Sequence, residues 1–176
     1  MKQYFQPLAT PRLILRCLEP GDASDISRLI TPNVARWVAS WAFPFTVEMA
    51  EERITLNCAR AQEGKAVPCA VIRREDGRFM GYIGIFATDP GRAAFGYWLG
   101  DAFHGQGYMR EAAPVALRAG FAILGVQTIE AGAQLANAAS FAVMKACGMR
   151  PVGERMTFAA SRQVDERCAY YEATAP

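Results

Sequence analysis

Lysine is nearly missing, occurring only at positions 2, 65 and 145, and the 176 residues contain a single histidine. The 19 basic and 17 acidic residues leave a formal charge of +2 with no Lys/Arg cluster, which gives no support to a nucleic-acid-binding stripe. There is no acidic run of the kind that marks a disordered tail. No apolar stretch reaches the roughly 18 residues of a membrane helix, since Arg118 interrupts the most apolar one, 112–126. The start of the chain lacks the apolar core of a signal peptide. These absences predict a soluble cytoplasmic protein with neither a nucleic-acid nor a membrane partner. Cysteine occurs at 17, 58, 69, 147 and 168, without a CxxC pair or a histidine at ligand spacing. That pattern argues against a metal site and suits small buried side chains. Linkers are missing too, because no Ser/Gly/Pro-rich tract or repeat divides the chain. With 52% apolar residues, 1–176 is expected to be a single domain with a sizeable core.

What is present reads as a mixture of strands and helices. Arg12 to Leu18 is a short β-branched run between Pro11 and Pro20, a strand signal. Asp22 is placed to cap a following helix, in which Ile26, Leu29 and Ile30 recur at helical spacing before Thr31-Pro32. Trp37, Trp41, Phe43 and Phe45 then gather, and the spacing of the two tryptophans puts them on one helix face. Thr46 caps a second helix carrying Glu48, Glu51 and Glu52 in its first turns, where the helix dipole favours acids. Strand signals at 67–73, 79–87 and 93–99, separated by the turns 75–78 and 89–91, form an antiparallel meander. A glycine-rich loop, 100–107, leads into a helix running to about Leu124, in which Pro114 predicts a kink or a delayed start. A strand at 127–134, a short helix at 137–147 closed by Gly148, and strands at 152–158 and 164–172 complete the chain. The order predicts an α+β fold, with a mixed, mostly antiparallel seven-stranded sheet flanked by helices and a parallel strand–helix–strand unit in its middle.

Chemistry concentrates in two places. In Gly96-Tyr97-Trp98-Leu99-Gly100-Asp101-Ala102-Phe103-His104-Gly105-Gln106-Gly107-Tyr108-Met109-Arg110-Glu111, a strand enters a glycine loop and then a helix, so loop amides and helix N–H groups can converge on an anion. It is not a Walker loop, since no Lys-Ser or Lys-Thr follows, and it lacks the third glycine of the dinucleotide fingerprint. Alone, it reads equally well as an ordinary tight loop. The second place is Asn137-Ala138-Ala139-Ser140, followed by Cys147-Gly148-Met149. Asn137 is a good helix cap and needs no further role to explain it.

Taken in order, these segments resemble the GNAT N-acetyltransferase superfamily, most closely its RimJ/RimL-like branch. The resemblance rests also on Thr10-Pro11-Arg12-Leu13-Ile14-Leu15-Arg16, Phe43-Pro44-Phe45-Thr46 and Gly81-Tyr82-Ile83-Gly84, and covers nearly the whole chain. It implies a sheet with a V-shaped split between the fourth and fifth strands, in which acetyl-CoA lies, and no metal. On this sequence the implied cofactor contacts are Trp98, Leu99, His104, Gly105, Gln106, Gly107, Tyr108, Met109 and Arg110, with Asn137 and Ser140 beside the pantetheine and thioester. Trp37, Trp41 and Tyr97 are the expected acceptor contacts. Glu111 is expected to act as a first-turn helix-dipole residue.

The implied reaction is acetyl transfer to an amine by direct attack in a ternary complex. The acceptor would be a protein or peptide N-terminal α-amine, or alternatively a small-molecule amine, and the protein a monomer or homodimer. Several positions depart from the family pattern. Met144 stands where relatives carry a Tyr that protonates the leaving thiolate, so Ser140 becomes the expected donor and Asn137 its catalytic neighbour. Ala94 stands where a Glu base is common, leaving Asp165, Glu19 or waters as bases. These losses also allow a catalytically impaired CoA-binding module.

Overall fold

Ala66–Arg73 (β3) and Phe79–Ala87 (β4) are buried along most of their length, so the sheet at this point needs cover on both faces. The computed structural model, which describes residues 5–176, supplies that cover with helices on either side. The other strands are β1 (Leu8–Ala9), β2 (Leu13–Cys17), β5 (Arg92–Leu99), β6 (Thr128–Gln134), β7 (Arg150–Ala159) and β8 (Val164–Thr174). They lie in the order β1-β2-β3-β4-β5-β6-β8-β7, all antiparallel except the pair β5–β6. This is the expected α+β architecture with eight strands instead of seven. The extra strand, β1, pairs only Leu8 with Leu15 and Ala9 with Ile14, and is too short to show a period in the sequence.

Helices α1 (Ala23–Leu29), α2 (Pro32–Ala35) and α3 (Val47–Gln62) pack on one face, where Ile26, Ile54, Tyr82 and Trp98 share a core. On the other face α4 (Tyr108–Leu124) and α5 (Ala138–Ala146) bury Ala112, Ala116, Leu117 and Val143 against Val71, Ile83 and Ile85. Thr46 caps α3 by accepting from Met49 N at 3.2 Å. Cys17, Cys69 and Cys168 are buried and all five cysteines are free thiols. Among the described residues, no helix is long and apolar enough to cross a membrane.

Three local expectations need correction. Asp22 stands at the start of α1 but makes no side-chain cap, because its carboxylate takes both Arg16 guanidinium nitrogens, at 2.7 and 2.9 Å, and Glu19 N at 2.8 Å. Trp37 and Trp41 share no helix face, since α2 ends at Ala35 and an irregular segment carries both. Pro114 does not delay α4, which starts at Tyr108 and continues through the proline. The lost amide would have served Arg110 O, one turn earlier.

The feature that organises the site is a fork in the sheet. β5 and β6 pair at Arg92↔Thr128, Ala93↔Ile129 and Ala94↔Glu130, then part, although β5 runs on to Leu99 and β6 to Gln134. With β1 added to the count, this is the split expected between the fourth and fifth strands.

Candidate active site

After β5, a short turn at Asp101–Phe103 leads to Gly105 (φ 73°) and Gly107 (φ 78°), and α4 begins at the next residue. Both glycines occupy the left-handed region, which a side chain disfavours. The resulting backbone leaves the amides of Gly105, Gln106, Gly107, Tyr108, Met109 and Arg110 donating to no carbonyl or side chain among the described residues. The run ends at Glu111 N, which reaches Gly107 O at 3.1 Å. Six consecutive donors at the positive end of a helix form a cradle that could receive an anion such as a pyrophosphate.

The loop is braced from the connection between β1 and β2. Arg12 Nη1 donates to Gln106 O (3.0 Å), its Nε donates to Glu111 Oε2 (2.6 Å), and its guanidinium lies 4.3 Å from the Tyr108 ring centroid. Glu111 also accepts from Thr10 Oγ1 (2.5 Å) and Arg12 N (2.8 Å). Partial desolvation works against the Glu111 charge, but the bonds from Thr10 and Arg12 outweigh it and hold the carboxyl below the usual glutamate range. Glu111 is thus a brace as well as a helix-dipole residue.

Strand parity shows which backbone groups face the fork. Gly100 N donates to Met80 O at 2.9 Å, and the β4–β5 register runs without a bulge. Alternation therefore turns the backbone groups of Gly96 and Trp98 toward β4, and those of Phe95, Tyr97 and Leu99 toward the opening. On the other side Asn137 caps α5, accepting from Ser140 N at 3.1 Å. Tyr97 bridges the two arms, its hydroxyl donating to Ser140 O at 3.1 Å. Burial pushes the Tyr97 phenol above the ordinary tyrosine range, with only partial relief from the Ser140 contact. Ser140 Oγ makes no hydrogen bond with another described residue.

A cleft of about 340 Å³ fills this fork. It brings together Tyr97, Trp98, Leu99, His104, Gly105, Gly107, Tyr108, Met109, Arg110, Asn137, Ser140 and Trp37. His104 Nε2 donates to Leu99 O at 2.8 Å, which fixes its ring against the strand end. Two predicted residues lie off the cleft wall. The Gln106 side chain turns back to Ala102 O (2.8 Å), leaving only its amide in the cradle. Trp41 is buried among Phe45, Tyr82 and Trp98, with ring centroids 5.1–5.4 Å away. Val34, Val38, Phe103, Ala139, Ala142 and Val143 also line the cleft. Sequence reasoning missed them because an apolar cleft wall has the same pattern as core.

Among the described residues, no Asp or Glu lines the cleft. Ala94 is the last paired residue of the fork, and the Glu130 opposite it is taken by Arg155 and Arg92. Met144 is fully buried in the α4–α5 core. Cys147 does not line the cleft, and burial pushes its thiol up to about 12, against a nucleophilic thiolate. Trp98 Nε1 is buried beside the cleft and has no acceptor among the described residues.

Comparison with known proteins agrees with this geometry. The family described as "Acetyltransferase (GNAT) domain" matches residues 12–150. A curated relative, "Probable N-acetyltransferase YjcK" of Bacillus subtilis (strain 168), is 30% identical over 112 residues, a match that spans 62% of this chain and 62% of the relative. Among solved structures, Mycobacterium smegmatis RimJ in complex with CoA-disulfide is similar at a TM-score of 0.83 and 22% identity, covering 99% of this chain and 90% of that one. The ribosomal-protein-S5-alanine acetyltransferase of Vibrio fischeri is similar at a TM-score of 0.84 and 19% identity, covering 97% of each chain. With its forked sheet, its amide cradle and a family match over most of its length, the chain belongs to the GNAT family of acetyltransferases and has the fold of the RimJ/RimL-like proteins.

Proposed function

We propose that residues 1–176 form one acetyl-CoA-dependent N-acetyltransferase domain, working in the cytoplasm as a monomer or homodimer. The observation that carries this reading is the run of six uncommitted amides, Gly105 to Arg110, at the mouth of the β5–β6 fork. Those amides would hold the cofactor's pyrophosphate, with His104, Tyr108, Met109 and Arg110 around it. The fork-facing backbone of Tyr97 and Leu99, beside Trp98, would pair with the pantetheine in the manner of an added strand. When bound, acetyl-CoA supplies the activated acyl carbon as a thioester.

The residues of the chain then have distinct tasks. A fork-facing N–H of β5 can donate to the oxyanion that forms on the acyl oxygen. Ser140 Oγ, without a hydrogen-bond partner among the described residues and held in the first turn of α5 by Asn137, can donate to the departing sulfur. Tyr97 stays protonated and fixes Ser140 through its carbonyl. With no carboxylate on the cleft wall among the described residues, the amine would enter neutral or lose its proton through water. That condition suits an α-amine, with an unperturbed pKa of about 7.7–8.0, far better than a lysine near 10.4. We place the acceptor on the Trp37, Val34 and Val38 side, opposite the cradle. An N-terminal α-amine of a protein or peptide is the preferred class, a reading supported by the ribosomal-protein-alanine acetyltransferase named for the Vibrio fischeri fold relative.

The test is thiol release from acetyl-CoA against Ala- and Ser-headed peptides, polyamines and free amino acids, with calorimetry of acetyl-CoA binding alongside. Turnover with the peptides alone supports the N-terminal reading, and turnover with the small amines alone replaces it by the small-molecule one. Binding without any turnover would leave a CoA-binding module, as the Met144 and Ala94 departures would suggest.

A further inference from the structure

The acceptor wall of the cleft, Val34 to Ser40, is mostly irregular chain, yet its carbonyls are systematically occupied by donors from other elements. Arg162, in the turn between β7 and β8, donates from Nη1 to Ala35 O (2.6 Å) and to Val38 O (3.1 Å). Ser161 adds its hydroxyl to Val38 O (3.1 Å) and its amide to Ala39 O (2.9 Å). Gln134, at the end of β6, donates to Arg36 O (2.9 Å). The Arg162 fork is itself oriented by Glu166, which accepts from Nε at 3.1 Å and from Nη2 at 2.7 Å and also takes Gln134 Nε2 at 2.9 Å.

Physically, Arg162 does for this segment what a C-terminal cap does for a helix. α2 spans only Pro32–Ala35, and at and just beyond its end one guanidinium supplies charge-assisted bonds to two carbonyls, those of Ala35 and Val38, the first of which also accepts from Val38 N at 3.3 Å. The two faces of the cleft are thereby joined across the fork. The β6–β8–β7 arm, through Gln134 and Arg162, contacts the segment bearing Val34, Trp37 and Val38, which faces the cleft together with Tyr97, Trp98 and Leu99 of β5.

We propose that Arg162 is a positioning residue that sets the acceptor wall, with Glu166 and Gln134 orienting it, and that its removal loosens acceptor recognition while sparing the cofactor cradle. The kinetic half of this statement rests on the acetyltransfer reading, whereas the structural half does not. The amides of Val34, Ala35, Arg36, Trp37 and Val38 are all hydrogen-bonded, so their hydrogen exchange reports directly on the wall.

The experiment compares the full-length protein with Arg162→Ala, Arg162→Lys and, as a control on the same hairpin, Arg167→Ala, whose side chain pairs with Glu154 instead. Exchange in the peptide spanning 34–38 should rise by roughly tenfold in Arg162→Ala, from the lost charge-assisted bonds, and by less in Arg162→Lys, while Arg167→Ala matches the parent. Acetyl-CoA affinity by calorimetry should stay within about twofold, and KM for an Ala-headed peptide should rise about tenfold with little change in kcat. Unchanged exchange in Arg162→Ala overturns the proposal, and so does acetyl-CoA affinity falling as far as acceptor KM rises. Global loss of fold in Arg162→Ala would show as exchange rising everywhere, and the Arg162→Lys comparison then decides by whether its increase is confined to 34–38. If the parent protein turns over no acceptor, the functional reading fails, while the exchange arm still decides whether Arg162 sets the wall.

Discussion

Replacing Gly107 by alanine isolates the conformational requirement of the cradle. Gly107 has φ 78°, and a residue with a Cβ there costs roughly 1–2 kcal/mol. Space is not the obstacle, because an added Cβ would meet Arg12 Nη2 at 3.7 Å and Arg110 Nη2 at 3.8 Å, both ordinary contacts. The chain can relieve the strain only by rotating the peptides around Gly107, which swings the amides of Gly107 and Tyr108 away from their common target. A hydrogen bond to a charged group contributes about 1.5–3 kcal/mol. Losing one aligned amide should therefore weaken acetyl-CoA binding by about ten- to hundredfold. Gly77→Ala is the matched control, with φ 71°, nothing within 4 Å of the added Cβ, and a position in the β3–β4 connection. Without ligand, both variants should melt about 2–8 °C lower, as expected for ~1–2 kcal/mol in a chain of this size. Calorimetry should then show lost affinity in Gly107→Ala alone. Parent-like affinity in Gly107→Ala, or an equal loss in Gly77→Ala, would refute the assignment of the amide run to the pyrophosphate.

Glu111→Gln keeps the shape of the brace and removes its charge, and should destabilise by about 1 kcal/mol at neutral pH. Because the folded carboxyl titrates below its unfolded value of about 4.3, this contribution is present above that value and disappears as pH falls through the folded one. Urea unfolding of parent and variant should differ at pH 7 and converge in acid; a gap that persists in acid would assign the effect to packing. Asn137→Ala removes the α5 cap, at about 1 kcal/mol, and turnover should fall more than acetyl-CoA affinity. Equal falls would leave Asn137 as a cap alone. Gly81→Ala would put a methyl 2.2 Å from Trp98 O and 2.8 Å from Leu99 Cα, forcing β4 and β5 apart. Its stability loss should exceed about 2 kcal/mol, above the ~1 kcal/mol of an ordinary substitution, and a melt within a few degrees of the parent would show that the strands can adapt.

The elements of the fold were legible where a local signal was strong. Thr46 and Asn137 cap as their residue types require, and the meander from Ala66 to Leu99 follows from alternating turns and apolar runs. The glycine-loop side of the cleft was legible for the same reason, since Gly105, Gly107 and a helix start are adjacent in sequence. The side formed by Val34, Trp37 and Val38 was not. Val34, Trp37 and Val38 take their positions from Arg162 and Gln134, roughly a hundred residues away in the chain, and no pattern within a local window encodes such contacts. Trp41 misled because two tryptophans at helical spacing suggest a shared face, whereas Pro32 opens a helix that ends at Ala35. Asp22 misled because a capping residue type was claimed by a stronger bidentate partner, Arg16.

The fork also bears on how the protein opens. Three residue pairs join β5 to β6, while β6, β8 and β7 are laced to one another along nearly their full lengths. The sheet is therefore closer to two cooperative blocks with a short seam than to one continuous lattice, and the C-terminal block, with α5, is the natural unit of partial opening. A molecule that bridges both arms of the fork adds its binding free energy to that seam. Cofactor concentration would then set more than the rate of reaction. It would determine how often the C-terminal block separates, and with it the protein's exposure to proteolysis between catalytic cycles.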